Sequence, residues 1–395
     1  MDKVDIYSVI QVKKDLKTLY ELINFIFENK NGYREVFIIN MMSYISLAVC
    51  EGIDLLKKLV PDFEVVLDTN FSIKDVRLRT KLFYEKKFNK IIELVEKIDC
   101  MSEFEFRDCR YNLSIQTDSN NHIINNTQLL LYFFQPQTLK KVKLGDVKSL
   151  CEANVIGFSK LSKHALISYT TSIGKAIVNL NSMITEMLNK EKNTNKECPE
   201  FIDNVDLEFN NNYKVIYRNA NINDHNRIFK DITLSKPIKI YLLDLLSMTN
   251  FFVYTYNKIV QKDFGYNLRI KFICCYYVVG GLDKLRKHIK NNNQMGKKII
   301  QIFERLQLDD MSLFSPDFRN CMMHYSFRDN DGYSLINDIE YDIDKLFFGL
   351  IESCYNGMSY DDFKIKIDKK LKDISEILEE WLDIQMDDME IEVMQ

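Results

Sequence analysis

Apolar side chains recur at helical spacing over most of the chain. In residues 7–30 they fall three and four positions apart, and the same spacing continues through 34–60, 72–98 and about 153–190. The first half of the sequence therefore predicts four long amphipathic helices. The second half predicts six more, over residues 235–260, 266–290, 295–307, 315–328, 341–356 and 359–383.

A different pattern interrupts the helices near residues 101–135. Two apolar, strand-like stretches flank a polar turn at 118–121, which predicts a β hairpin. A second hairpin is predicted where residues 206–209 and 213–218 flank three asparagines. The predicted fold class is mainly α, with a helical N-terminal region that carries a small β element and a C-terminal helical bundle.

A polar stretch near the middle of the chain predicts a domain boundary. Residues 190–200 are almost free of apolar side chains, so we expect a linker over 191–204. It separates an N-terminal region, 1–190, from a C-terminal domain, 205–383, that begins with the second hairpin and continues as an all-α bundle. We expect the N-terminal region to be a sensor, regulatory or dimerisation unit, and the acidic tail 384–395 to be loosely held.

Composition and charge exclude several classes of protein. Hydrophobic residues make up 46% of the chain and charged residues 28%, which is a globular balance and not that of a disordered protein. A net charge of −4 argues against a protein that coats DNA. The nine cysteines form no C-x-x-C motif, and the N terminus does not resemble a signal peptide. We therefore expect reduced thiols, a cytoplasmic location and no membrane partner.

The common catalytic signatures are absent from the sequence. It contains no P-loop, no dinucleotide-binding glycine motif, no zinc-protease helix and no nucleophile elbow. Residues 329–332 resemble part of a calcium loop, but Phe327 would then occupy the first ligand position. Cys274 and Cys275 lie in an apolar helix, where core packing is the expected role. The sequence predicts neither a metal nor a cofactor.

Four of the five histidines fit ordinary surroundings. Three of them are predicted to be solvated, on a loop or on lysine-rich helix surfaces: His122, His164 and His288. His225 follows Arg218 and Asn219 in a run of Asn and Asp, which predicts a polar turn. His324 differs from these four because it lies on a short predicted helix together with other polar groups.

The helix that begins near Ser315 brings three polar side chains together. Ser315 is suited to the N-cap and Pro316 to the first helical position. The apolar side chains share one face of this helix: Phe318, Cys321, Met322 and Tyr325. Asn320 and His324 stack on the other side, and Arg319 also points away from the apolar face. Arginine binds phosphate oxygens and histidine transfers protons near neutral pH, so the sequence predicts a phosphate site in which Asn320 can fix the imidazole tautomer.

Arg319, Asn320 and His324 together resemble the signature of the HEPN superfamily. That signature is an arginine, four to six further residues and a histidine, often with a polar residue directly after the arginine. The resemblance covers about residues 235–383. It implies an all-α bundle of four or five helices whose motif lies near the start of a late helix. Many members are metal-independent endoribonucleases of toxin–antitoxin, abortive-infection and CRISPR-linked defence systems, and their sites typically form where two HEPN domains meet.

This resemblance implies an enzyme that cleaves single-stranded RNA without a metal. His324 would transfer a proton, Arg319 would stabilise charge on the phosphorane, and Asn320 would orient His324. The implied partners are RNA, a second copy of the chain in an even-numbered homo-oligomer, and a regulatory protein or ligand at the N-terminal region. Two other functions are open, a non-catalytic interaction scaffold and a ligand sensor. In the structural alternative, Arg319 simply pairs with Asp317 or Asp329.

Overall fold

Helices make up most of the described chain. A computed structural model describes residues 1–28, 34–60, 63, 73–105, 113–126, 158–194, 208–210, 212–213, 216–220, 229, 234–261, 265–292, 296–337, 340–383 and 390–392. The helices of the first half are α1 (Lys3–Glu28), α2 (Arg34–Leu59), α3 (Ile73–Glu85), α4 (Phe88–Glu105) and α5 (Phe158–Thr194). The single helix predicted over 72–98 is thus two helices, which meet at residues 86–87.

The helices of the second half follow the predicted order. They are α6 (Lys236–Asn250), α7 (Asn257–Ile259), α8 (Gly265–Asn291), α9 (Lys297–Leu306), α10 (Pro316–His324), α11 (Leu350–Cys354) and α12 (Tyr360–Trp381). A π-helical turn, Phe251–Tyr256, joins α6 to α7, and a 3₁₀ turn, Leu346–Gly349, precedes α11. That turn contains left-handed residues at Phe347 and Phe348, so the helix predicted over 341–356 is shorter than expected. The predicted mainly α fold is confirmed.

The described residues contain one small antiparallel sheet. Its strands are β1 (Leu113–Thr117), β2 (Ile123–Asn126), β3 (Ile216–Ala220) and β4 (Glu390–Glu392), in the order β2-β1-β3-β4. The hairpin predicted near 101–135 is present as β1 and β2, with its polar turn between them. The second strand differs from the prediction, which placed it in the apolar stretch 129–134: the strand that pairs with β1 is Ile123–Asn126, and residues 129–134 lie outside the described residues.

The second predicted hairpin is wrong. Strand β3 pairs with β1 along one edge and with β4 along the other, so Arg218 lies opposite both Ile115 and Ile391. Phe209, which was predicted to pair with this segment, instead forms a bridge with Val260. The acidic tail also differs from expectation, since it supplies β4. A turn-rich sequence predicts a chain reversal but not which distant strand occupies each edge.

The two predicted domains share one core in the described residues. Helix α1 packs against α2, α5 and α8, while α2 packs against α10 and α4 packs against α6. Buried apolar side chains of both halves form one continuous cluster. The beginning of the predicted linker is helical, because α5 continues to Thr194. The first helices therefore pack both against one another and against helices of the second half, and the two halves do not have separate cores in the described residues.

Most of helix α2 is one long apolar segment. The segment Val36–Leu59 is the only stretch among the described residues with the length and composition to cross a membrane, and 94% of its most apolar window is buried inside the protein. A helix that is apolar on every side is typical of a core position. This segment carries Glu51, a residue of the site described below.

A buried carboxyl group ties the hairpin to α6 and makes stability depend on pH. Asp244 accepts a hydrogen bond of 2.6 Å from the side-chain amide of Asn126 on β2. Burial raises the pKa of Asp244 from 3.8 to about 8. The folded protein therefore keeps a proton that the unfolded chain releases above about pH 4. This contribution to stability is complete below that pH and is lost as the pH rises through about 8.

We expect Asp244→Asn to flatten this dependence, because the amide has no proton to lose. At ~1.4 kcal/mol per pKa unit, the unfolding free energy of the wild type should fall by a few kcal/mol between pH 5 and 9 relative to the variant. Urea denaturation at several pH values measures the difference. If the unfolding free energy changes with pH in the same way in both proteins, Asp244 is ionised in the folded state at every pH tested.

Candidate active site

Helix α10 begins as its sequence predicts. The Ser315 hydroxyl accepts a hydrogen bond of 3.3 Å from the Phe318 amide, and Pro316 occupies the first turn. The predicted apolar face is buried at all four positions: Phe318, Cys321, Met322 and Tyr325. The helix ends at His324 rather than near residue 328, because Tyr325 is left-handed, with φ of 61°. His324 is therefore the last residue of α10.

The C-terminal end of α10 is held by a buried arginine from α8. One terminal nitrogen of Arg269 donates to the carbonyl oxygens of Cys321 and Met322, at 3.1 and 2.8 Å. The Nε atom of Arg269 lies 2.7 Å from the carboxylate of Asp15 on α1, and the side chains of Arg269 and Asp15 are each 1% exposed. The last carbonyls of a helix lack partners within it and carry partial negative charge, so a cation here stabilises the helix end. Helices α1 and α8 thereby fix the position of α10.

His324 is hydrogen bonded to a glutamate of α2. Its Nδ1 lies 2.7 Å from Oε2 of Glu51, and the two side chains are 43% and 13% exposed. A carboxylate at Nδ1 favours the tautomer that carries its hydrogen there, which leaves Nε2 able to accept a proton. Nε2 has no hydrogen-bond partner in the described part of the chain. A half-exposed imidazole is thus aligned by a mostly buried carboxylate.

Glu51 is itself held by an arginine of α3. Nε and a terminal nitrogen of Arg77 lie 3.0 and 2.9 Å from Oε1 of Glu51. Burial favours the neutral acid, but the hydrogen bonds and charges of His324 and Arg77 outweigh it and lower the pKa of Glu51. Glu51 is therefore a carboxylate at neutral pH. Three helices meet here, with α2, α3 and α10 contributing one residue each.

Arg319 lies on an aromatic ring instead of on a carboxylate. Its guanidinium carbon is 5.6 Å from the centre of the Tyr276 ring, and the side chain is half-buried. Among the residues that the structure describes, it forms no ion pair, so the alternative pairing with Asp317 or Asp329 is not observed. Such an arginine is partly ordered by the ring and keeps its N–H groups for an anion.

Asn320 does not have the role predicted for it. It was expected to fix the tautomer of His324, but Glu51 occupies Nδ1, and no hydrogen bond joins the two side chains of α10. Residues four apart on a helix are neighbours, yet a charged acceptor on a packed helix forms the stronger hydrogen bond. Glu51 and Arg77 were missed because they lie far from the motif in sequence, Glu51 by 273 residues. No local pattern marks them.

His122 is also wrongly predicted. Its ring stacks on Tyr254 with centres 3.6 Å apart, and its Nδ1 lies 2.8 Å from Glu379 on α12. Burial disfavours the protonated ring, but the hydrogen bond and charge of Glu379 outweigh it, so the pKa of His122 is raised. The loop histidine therefore anchors the hairpin turn rather than facing solvent alone. His225 and the side chain of His164 lie outside the described residues.

The described residues contain no group of three or more His, Cys, Asp or Glu side chains that could hold a metal ion. Comparison of the chain with protein-family models, with curated proteins and with solved structures finds no match in any of the three. The likeness to HEPN proteins therefore depends on Arg319, Asn320 and His324 and on the helical surroundings of these three residues.

Proposed function

We propose that the protein is a metal-independent, HEPN-type endoribonuclease that cleaves single-stranded RNA in the cytoplasm, in antiphage defence or a toxin system. One observation carries the proposal: a half-exposed histidine, aligned by Glu51, lies on the same short helix as an arginine without an ion pair among the described residues. A carboxylate-held imidazole is suited to proton transfer, and an unpaired guanidinium is suited to a phosphate.

In the proposed mechanism, Nε2 of His324 removes the proton of a ribose 2′-OH. The 2′-oxygen then attacks the adjacent phosphorus, and the bond from phosphorus to the 5′-oxygen breaks. Arg319 stabilises the negative charge that develops on the phosphorane, and Glu51 stabilises the imidazolium. The products are a 2′,3′-cyclic phosphate and a 5′-OH. Asn320, on the same side of α10 as His324, is proposed to contact the RNA.

The departing 5′-oxygen needs a proton, and one histidine does not serve as base and acid in the same step. We propose that a second copy of the chain supplies the acid, so that the active form is an even-numbered homo-oligomer in which two α10 helices face one RNA strand. Glu51 and Arg77 belong to the N-terminal half, so that half is part of the catalytic unit as well as a place for a regulatory partner or ligand.

We expect cleavage of RNA that persists in excess EDTA. The test incubates a pool of unstructured, randomised single-stranded RNAs, and DNAs of the same composition, with the full chain. RNA should yield cyclic-phosphate ends, while DNA should stay intact because it lacks the 2′-OH nucleophile. Light scattering on the same samples should show an even-numbered oligomer. The RNA-cleavage rate per protomer should fall when dilution separates the copies.

Two results would contradict this function. Cleavage that disappears with EDTA and returns with magnesium would overturn the metal-independent mechanism. RNA that stays intact under all these conditions would favour the non-catalytic scaffold or the ligand sensor. A monomer that cleaves RNA at full rate would exclude only the proposal that a second copy supplies the general acid.

A further inference from the structure

The two oxygens of the Glu51 carboxylate have separate partners. Oε2 lies 2.7 Å from Nδ1 of His324. Oε1 accepts a hydrogen bond of 3.0 Å from Nε of Arg77 and lies 2.9 Å from one terminal nitrogen of the same guanidinium. Rotation of the carboxylate would break contacts on both sides. The orientation of the His324 ring therefore depends on a guanidinium that the ring does not touch.

Arg77 is poorly placed to bind RNA itself. Its side chain is only 10% exposed, and its other terminal nitrogen lies 3.8 Å from Glu85. The Tyr277 hydroxyl of α8 donates to the same Glu85 oxygen at 3.4 Å, so α8 is the fourth helix that contributes to the cluster. The other ionisable groups of the described residues that act on Arg77 or Glu51 are Cys50, Glu85, Tyr277, Tyr325 and His324. Unlike these groups, Arg77 keeps a full positive charge at every pH of interest.

We infer that Arg77 is a positioning residue of the proposed nuclease: it holds Glu51 as an oriented carboxylate, and Glu51 in turn aligns His324 for proton transfer. The inference rests on the proposed function. It places the control of catalytic geometry in α3, in the half of the chain that carries none of the motif. A guanidinium contacting Glu51 with two nitrogens restricts it more than an ammonium does, so lysine should replace Arg77 only in part.

Cleavage assays test the order of these contacts. Arg77→Gln should lower the rate by ~10- to 100-fold, Arg77→Lys by less, and Glu51→Gln by at least as much as Arg77→Gln. Combining Arg77→Gln with Glu51→Gln should add little to the loss from Glu51→Gln alone, because both substitutions interrupt one chain of contacts. Glu85→Gln is the matched control, since it touches Arg77 but not Glu51, and should change the rate by less than about threefold.

A second readout does not need nuclease activity. The His324 ring signal of the folded full chain is titrated by NMR, without RNA, in the wild type and the variants. In Arg77→Gln the midpoint should move to higher pH, because a carboxylate without its arginine stabilises the imidazolium more strongly. Arg77→Lys should move it less in the same direction, and this variant replaces Arg77→Gln if that protein does not fold. Glu85→Gln should leave it nearly unchanged.

The two readouts separate the possible failures. A His324 titration that is the same in wild type, Arg77→Gln and Arg77→Lys would overturn the positioning role, whatever the cleavage rates are. The expected titration shifts in a protein that cleaves no RNA would overturn the proposed function and leave the contact from Arg77 to His324 established. Equal loss of cleavage in Glu85→Gln and Arg77→Gln, with unchanged titrations, would show that the cluster acts only on stability.

Discussion

His324→Ala and Arg319→Ala are each expected to lower RNA cleavage by ~10²-fold or more, which is the usual effect of losing a positioned acid–base group. His324 supplies the proton acceptor that Glu51 aligns, and Arg319, which forms no ion pair in the described part of the chain, supplies positive charge for the phosphorane. Both side chains are partly exposed. Glu51 keeps its contact with Arg77 when the imidazole is removed, so stability should change by less than about 1 kcal/mol.

His225 supplies the matched control because it follows the second Arg-Asn sequence of the chain. His225→Ala should leave cleavage nearly unchanged, and thermal melts by circular dichroism should show that all three variants are folded. An inactive His225→Ala beside an active His324→Ala would mean that the other histidine is catalytic. Wild-type cleavage in every variant would remove the basis for a ribonuclease at this site.

Arg269→Met is expected to have the largest effect on stability, about 3–5 kcal/mol. The substitution removes the charged partner of Asp15, a side chain that is 1% exposed, and takes the Arg269 donor from the Met322 carbonyl. The Cys321 carbonyl keeps the backbone amide of Tyr325 as a donor. Burial already raises the pKa of Asp15 with the arginine present, so without that charge the carboxyl should be protonated in the folded variant. Urea denaturation monitored by circular dichroism measures the loss.

The double variant Asp15→Leu, Arg269→Met provides the control for that experiment. Removing both charges avoids the unpaired buried carboxyl, so the double variant should be more stable than Arg269→Met alone. It still lacks the donor for the end of α10, and its cleavage should therefore be lower than that of the wild type. A loss below about 1 kcal/mol in Arg269→Met would show that solvent reaches Asp15 readily.

Local chemistry was enough to predict which segments are helical and where α10 begins, although several helix ends differ from the prediction. Apolar positions at a period near 3.6 residues place the helical segments, and the Ser315 cap acts within one turn of the chain. The same periodicity placed Phe318 and Cys321 in the core and turned Arg319 and His324 away from it. These features depend on residues a few positions apart, so they can be predicted from the local sequence.

Only the tertiary structure decided what those residues meet. Strand β3 lies between β1 and β4, and the histidine is aligned by Glu51 rather than by Asn320. Both results depend on segments separated by many tens of residues, and the strand pattern and helical spacing are equally compatible with other partners. Sequence alone thus determines the helical content of this protein and the face on which Arg319 and His324 lie. Packing of α2 and α3 against α8 and α10 determines the charge and orientation of the site, because electrostatic contacts depend on distance in space.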